Sequence, residues 1–381
     1  MESLGVYIHI PFCVRKCQYC DFLSMSGGES QKERYVEALC REIRQRAEEF
    51  GRYEIRSLFW GGGTPSVLNA EQFNRIVQAL AKSAPHWRQN AEWTVEANPG
   101  TVTPELARSW KAAGVNRVSL GAQAFQDSIL KELGRIHNWE QVIQSVAILR
   151  SAGFDNLNLD LMMGLPNQRL KDWKETLDQA LELDPEHLSC YSLIVEEGTP
   201  LCEKYQVGEL KMPEEEEERR MYAVTLETLE QKGYLQYEIS NFAKEGCECR
   251  HNLSYWDLSA YRGLGLGASS YIQGRRIRNA CGLERYCAVQ NPAALEQVEE
   301  EASLKNAVEE WMFLGMRRIK GISEAEFEER FRMRPEKVYL KQLEELSQQG
   351  LIIRENGRIR LSRRGLDFAN LVFEAFLLET I

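Results

Sequence analysis

Residues 7–22 read Tyr7-Ile8-His9-Ile10-Pro11-Phe12-Cys13-Val14-Arg15-Lys16-Cys17-Gln18-Tyr19-Cys20-Asp21-Phe22. The stretch opens on an apolar run, Val6–Ile10, of the kind that forms a buried strand. Three cysteines follow within eight residues, spaced C-x3-C-x2-C. Three thiolates on one tight loop can wrap one corner of a cubane iron–sulfur cluster, which usually takes four cysteines. The local supply stops at three, so one iron would stay open to an outside ligand. A small molecule offering an amine and a carboxylate can chelate that iron. On spacing alone, two other readings remain: structural zinc completed by His9 or a distant cysteine, and three unligated thiols. The context favours the cluster. The loop follows the first strand of a repeating pattern, not a small zinc-ribbon hairpin.

Outward from this loop, short apolar runs alternate with helix-length segments. The strands are expected at Val6–Ile10, Ser57–Trp60, Trp93–Ala97, Arg117–Leu120, Leu157–Met162 and His187–Leu193. The helices between them are expected at Gln31–Phe50, Ala70–Ser83, Pro104–Ala113, Trp139–Ala152 and Leu170–Leu183. Repeated strand-then-helix order is the mark of a parallel α/β fold. Polar residues rich in chemistry sit just past the strand ends, where such folds place their sites. Six units fit a partial (β/α)6 barrel better than an open sheet. A further helix opens at Met212–Arg220 and runs to about Lys232. The expected organisation is a core over 1–235, a loop-rich connecting segment over 236–303, and a small winged-helix-like domain over 304–381. In the last, helical runs lead into a hairpin about Asn356–Gly357 and a final helix.

Composition narrows the function classes. The chain has 381 residues, 43% apolar and 27% charged, with a net charge of −10. It is long enough to bury a core without staples. Net acidity argues against a broad nucleic-acid surface, since phosphate contacts need clustered Lys and Arg. Arg354, Arg358, Arg360, Arg363 and Arg364 form one basic patch in the tail, but the helices before it are acidic, so the tail reads as a packing or docking domain. No run of 18 apolar residues suggests a membrane span, and no secretory signal is read at the N-terminus. The expected location is the cytoplasm. In a reducing compartment, clustered cysteines point to metal or redox chemistry before disulfides.

The joint pattern of YIHIPFC, FWGGGTPS, VEANPG, SLGAQAF and LDLMMGLP over residues 7–166 resembles the radical S-adenosylmethionine superfamily. More narrowly, it resembles the group that holds anaerobic coproporphyrinogen III oxidase and the HemW-type heme chaperones. The resemblance implies a [4Fe–4S] cluster on Cys13, Cys17 and Cys20, with S-adenosyl-L-methionine on its open iron. It places Gly62, Gly63 and Thr64 at the methionine end of the cofactor. Glu96, Gln123, Arg135, Asp160 and Tyr7 complete the shell, Tyr19 packs near the adenine, and Phe22 counts among the cofactor-binding residues. As residues alone, the glycines read equally as a strand–helix turn. A side chain at Gly63 is expected to weaken cofactor binding and leave the cluster in place.

A second element is His251-Asn252-Leu253-Ser254-Tyr255-Trp256. An imidazole beside two aromatics suits a heme face, and the resemblance makes His251 a heme ligand. A histidine merely hydrogen-bonded in a loop is the plain alternative. Cys247 and Cys249 are thiolate alternatives. The glycine run Gly263–Gly267 lacks the lysine of a phosphate loop. Ser269 stands where the family suggests a histidine.

The two relatives imply different classes. The oxidase pattern carries a further cysteine where this chain has Phe22, and a long segment before the first cysteine. Both features favour a carrier that binds heme and passes it on, with no catalytic residue assigned. The oxidative decarboxylation of coproporphyrinogen III is the alternative. The implied partners are heme or another tetrapyrrole, a heme-accepting apoprotein such as a respiratory one, and an electron donor for the cluster.

Overall fold

The computed structural model describes residues 1–301 and 303–378. Six parallel strands form its centre: β1 (Glu2–Ile10), β2 (Tyr53–Gly62), β3 (Trp87–Ala97), β4 (Arg117–Gln123), β5 (Leu157–Met163) and β6 (His187–Ser192). They lie side by side in chain order. Apolar residues meet across each pair, as Val6 with Leu58, Val95 with Val118, and Leu120 with Leu159. Helices cover the outer face, so both faces of most strands are buried and the runs are nearly continuous in apolar character. The intervening helices begin where the sequence supplies caps. Asn69 with Gln72, and Asn138 with Gln141, each form a reciprocal capping box. Thr103 caps the helix Pro104–Ala113, which ends on Gly114 at φ 103°. The segment expected as one helix to Phe50 is two, Glu29–Gln45 and Ala47–Phe50.

The segment 236–303 corrects the expectation of a loop-rich linker. It supplies strands to both edges of the sheet. Beyond β6 lies β8 (Asn241–Ala243), antiparallel, and outside it β7 (Leu235–Gln236). On the other side β9 (Tyr261–Leu264) runs parallel to β1. Then β10 (Ser269–Ile272), β11 (Arg275–Asn279) and β12 (Glu296–Glu300) continue antiparallel. The sheet has twelve strands among the described residues and stays open, with β12 and β7 at its edges. These strands are short and rich in Gly, Arg and Glu, so they carry little apolar alternation to read. Glu42 anchors this side. Its buried carboxylate accepts from Tyr286 Oη (2.5 Å), Asn279 Nδ2 (2.8 Å) and the Gly265 amide (2.9 Å). The glycine run is therefore a packing crossover against the first helix.

The C-terminal part has its own core, centred on Val308, Met312, Phe327, Tyr339, Leu343 and Ile359. Three helices, Leu304–Gly315, Glu324–Phe331 and Glu336–Gln348, surround a three-stranded sheet of Ile322–Ser323, Arg358–Leu361 and Ile352–Glu355. Its hairpin turns on Asn356 and Gly357, at φ 52° and 70°. Two positive φ values in a row are what an Asn-Gly turn provides. Arg354 of the basic patch is paired with Glu324 and Glu336.

Candidate functional site

A cavity of about 370 Å³ opens at the C-terminal ends of the central strands. Cys13, Cys17 and Cys20 all line it, and all three thiols are free and partly exposed. The loop that carries them is held by backbone. Phe12–Cys13 pairs in parallel with Met25–Ser26. The Gly63 and Thr64 amides donate to the Ile10 and Phe12 carbonyls, each at 2.8 Å. Thr64 Oγ1 donates to Cys13 Sγ at 3.3 Å, and Arg135 Nη1 to Cys17 Sγ at 3.5 Å. Burial raises the pKa of the Cys13 and Cys20 thiols. Among the described residues no group of three His, Cys, Asp or Glu side chains converges on a point where a single metal ion would sit. Three free thiols lining one cavity can ligate separate corners of a cubane. His9 is turned away from that role. Its Nε2 bonds the Leu23 carbonyl at 2.8 Å and its Nδ1 meets Tyr7 Oη at 3.1 Å.

Of the residues expected around the cofactor, Tyr19, Phe22, Gly62, Gly63, Thr64, Glu96, Gln123, Arg135 and Asp160 line this cavity. Tyr7 lines an adjoining one of about 240 Å³ that shares Phe22, Gly62, Glu96, Ser119, Asp160 and Tyr191 with it. The two are lobes of one site. Two polar atoms of the lining residues lack hydrogen-bond partners. Gln123 sits at φ 61°, and its buried Oε1 has no partner; neither does Arg135 Nε. An orphaned acceptor and an orphaned donor on two side chains that line one cavity fit an ammonium and a carboxylate, which the methionine end of the cofactor offers. The Glu96 carboxyl is raised to about 8, first by burial and then by the charge of Asp160. Asp160 is itself held by Ser119 Oγ (2.8 Å) and Asn158 Nδ2 (2.9 Å).

The glycine turn has a second purpose that the sequence reading missed. A Cβ on Gly63 would stand 2.7 Å from the carbonyl oxygens of Ile10 and Phe12. Those groups belong to the strand end that leads into Cys13. A side chain there, expected to leave the cluster in place, would crowd the strand end that leads into the cysteine loop. Gly62 at φ 104° would strike the His9 ring. Asn98 was also missed. It lies two residues beyond Glu96, on the same side of the strand end. It accepts from Arg135 Nη2 (2.9 Å) and donates to Thr64 Oγ1 (2.9 Å), linking Arg135 to Cys13. Period-two alternation from Glu96 was the available signal.

His251 stands apart. It lies in the helix Arg250–Trp256 and is fully buried. Its Nδ1 meets Ser57 Oγ at 2.8 Å and its Nε2 meets Tyr255 Oη at 2.9 Å. Its ring stacks on Phe59, centroids 5.2 Å apart. Burial lowers its pKa to about 3, so the imidazole stays neutral. The neighbours Asn252 and Tyr255, not His251, line the smaller lobe. The Cys249 thiol is buried and donates to Glu92 Oε1 at 3.5 Å. Ser269 is exposed at the start of β10.

Residues 7–180 match the family model of the radical SAM superfamily, and residues 302–368 match that of the HemN C-terminal domain. The chain is 38% identical over 377 residues to heme chaperone HemW of Lactococcus lactis, covering 99% of this chain and 98% of the relative. It is 38% identical over 376 residues to heme chaperone HemW of Bacillus subtilis, covering 98% of this chain and 99% of that one. Among solved structures it is similar to coproporphyrinogen III oxidase from Escherichia coli, described as a radical SAM enzyme. The TM-score is 0.86 at 22% identity, covering 100% of this chain and 91% of the other. At that identity the likeness speaks for the fold alone.

Proposed function

We propose, on the premise that this chain belongs to the heme chaperone HemW family of the radical SAM superfamily, that it binds heme and hands it to an acceptor protein. Its cofactors are a [4Fe–4S] cluster, S-adenosyl-L-methionine and heme. The observation that carries the reading is the full-length identity to heme chaperones, in a chain whose three free thiols face one strand-end cavity.

In this reading Cys13, Cys17 and Cys20 hold the cluster, which when loaded supplies one electron to the sulfonium of the cofactor. Gly62, Gly63 and Thr64 let the backbone approach the methionine end closely. Arg135 and Gln123 meet its charged groups with their unpartnered atoms. Glu96 and Asp160 serve the amine and ribose hydroxyls, and Tyr7 and Tyr19 wall the adenosine. Phe22 is 64% exposed at the mouth and offers a flat apolar face where the oxidase pattern has a cysteine. Heme ligation by His251 carries a condition. One of its bonds, to Ser57 or Tyr255, must be exchanged for iron. The acceptor is an apoprotein such as a respiratory heme protein, the cluster draws on an electron donor, and the site of action is the cytoplasm. Among the described residues no helix is long and apolar enough to cross a membrane.

The test is anaerobic reconstitution followed by two assays on one sample. About four irons per chain and a saturable heme Soret band are expected. Stoichiometric zinc without iron, or no heme binding, contradicts the reading.

A further inference from the structure

The smaller lobe runs down the inside of the sheet to Arg117, the first residue of β4, at the end of the strand opposite the cysteine loop. Arg117 is 2% exposed. Its Nε has no hydrogen-bond partner, and among the described residues no carboxylate forms an ion pair with it. A buried guanidinium left unpaired is costly, so such a group calls for an anion.

The acids nearby are already engaged. Glu92 accepts from the amides of Arg250 (2.8 Å) and His251 (2.9 Å) and from the Cys249 thiol. Asp160 is taken by Ser119 and Asn158. They balance the charge of Arg117 at a distance without satisfying its donors. Asn158 has nothing left to offer either. Its Nδ2 donates to Ser119 and Asp160, and its Oδ1 accepts from Ser189 and faces His187 Nδ1 at 2.6 Å. The guanidinium is therefore the group on this floor with capacity to spare.

Above it the walls are aromatic: Tyr7, Phe59, Tyr191 and Tyr255. The lobe reaches solvent beside Phe22 and Tyr191, which are 64% and 37% exposed. Its 240 Å³ lies below the roughly 300 Å³ at which pockets for drug-sized ligands begin. It admits an arm of a large ligand, not a macrocycle. A short apolar chain ending in a carboxylate matches each feature: aliphatic carbons against the aromatic walls, and a planar anion on the guanidinium fork.

We propose that Arg117 receives a propionate of the tetrapyrrole, so that heme lies over the mouth at Phe22 and Tyr191 with one carboxylate arm inside the sheet. This rests on the heme-carrier reading. The arm fixes the orientation of the macrocycle at the mouth.

The experiment compares heme with its dimethyl ester on the reconstituted full-length protein. Wild type is expected to bind heme at least about tenfold more tightly than the ester, the difference a charge-assisted bidentate contact supplies. Arg117→Gln is expected to reduce heme affinity to that of the ester while iron content stays the same. The wild-type comparison stands by itself should the variant fold poorly. Equal affinity of wild type for heme and ester overturns the proposal and leaves the carrier reading intact. No binding of either overturns both. If Arg117→Gln weakens S-adenosylmethionine binding and spares heme, the carboxylate is that of an amino acid, and the propionate assignment is overturned.

Discussion

Glu96 is the residue whose ionisation the fold controls most directly. Burial, then the charge of Asp160, lifts its carboxyl to about 8, well above the roughly 4.3 of a free glutamate. The folded chain thus holds a proton that the unfolded chain releases. Stability is greatest below the unfolded value and falls as pH rises toward about 8. Glu96→Gln removes this dependence. In cofactor-free protein the Tm of Glu96→Gln relative to wild type should climb between pH 5 and pH 8, and a pH-independent difference contradicts the assignment. For the thiols, replacing any one of Cys13, Cys17 or Cys20 by Ser should abolish the brown chromophore of reconstituted protein. Gly63→Ala should lower iron content as well as cofactor affinity, because its Cβ meets the backbone that leads to Cys13. Full iron retention would show that the loop yields at no cost. That Glu96, Gln123 and Asp160 line one cavity was legible because each sits at or just past the end of an expected strand. The state of His251 was not legible: its partner Ser57 is 194 residues away in sequence, and no local pattern announces that bond.

The helix Arg250–Trp256 owes its start to a carboxylate from another element. Glu92 on β3 accepts the first two helical amides, where an acid is favoured by the unsatisfied N–H groups and the dipole. Glu92→Ala leaves those buried donors empty and should cost about 1–3 kcal/mol. Hydrogen exchange at Arg250 and His251 should accelerate in that variant, and unchanged protection would mean that the helix stands without its cap. Elements with strong local signals were readable in advance. The boxes Asn69–Gln72 and Asn138–Gln141 mark helix starts, and Asn356–Gly357 marks a hairpin. The added strands of 235–300 were not. Arg275–Asn279 alternates poorly because it pairs with the charged Glu296–Glu300 instead of facing a core on both sides.

For the molecule as a whole, the open sheet leaves a continuous path from the cysteine loop to Arg117. The fold is shared with coproporphyrinogen III oxidase, a radical SAM enzyme, so architecture does not choose between carrier and catalyst. The choice rests on the full-length kinship to heme chaperones and on Phe22 at the mouth. The central claim is that heme enters and leaves this chain unchanged. The measurement that tests it most directly loads the reconstituted protein with one equivalent of heme, adds an apo-heme protein, and follows the Soret band under anaerobic conditions, with coproporphyrinogen III supplied to a parallel aliquot. The account predicts that the band moves to the acceptor and that no carbon dioxide is released from the porphyrinogen. Sustained carbon dioxide release, with no heme retained or transferred, would contradict it.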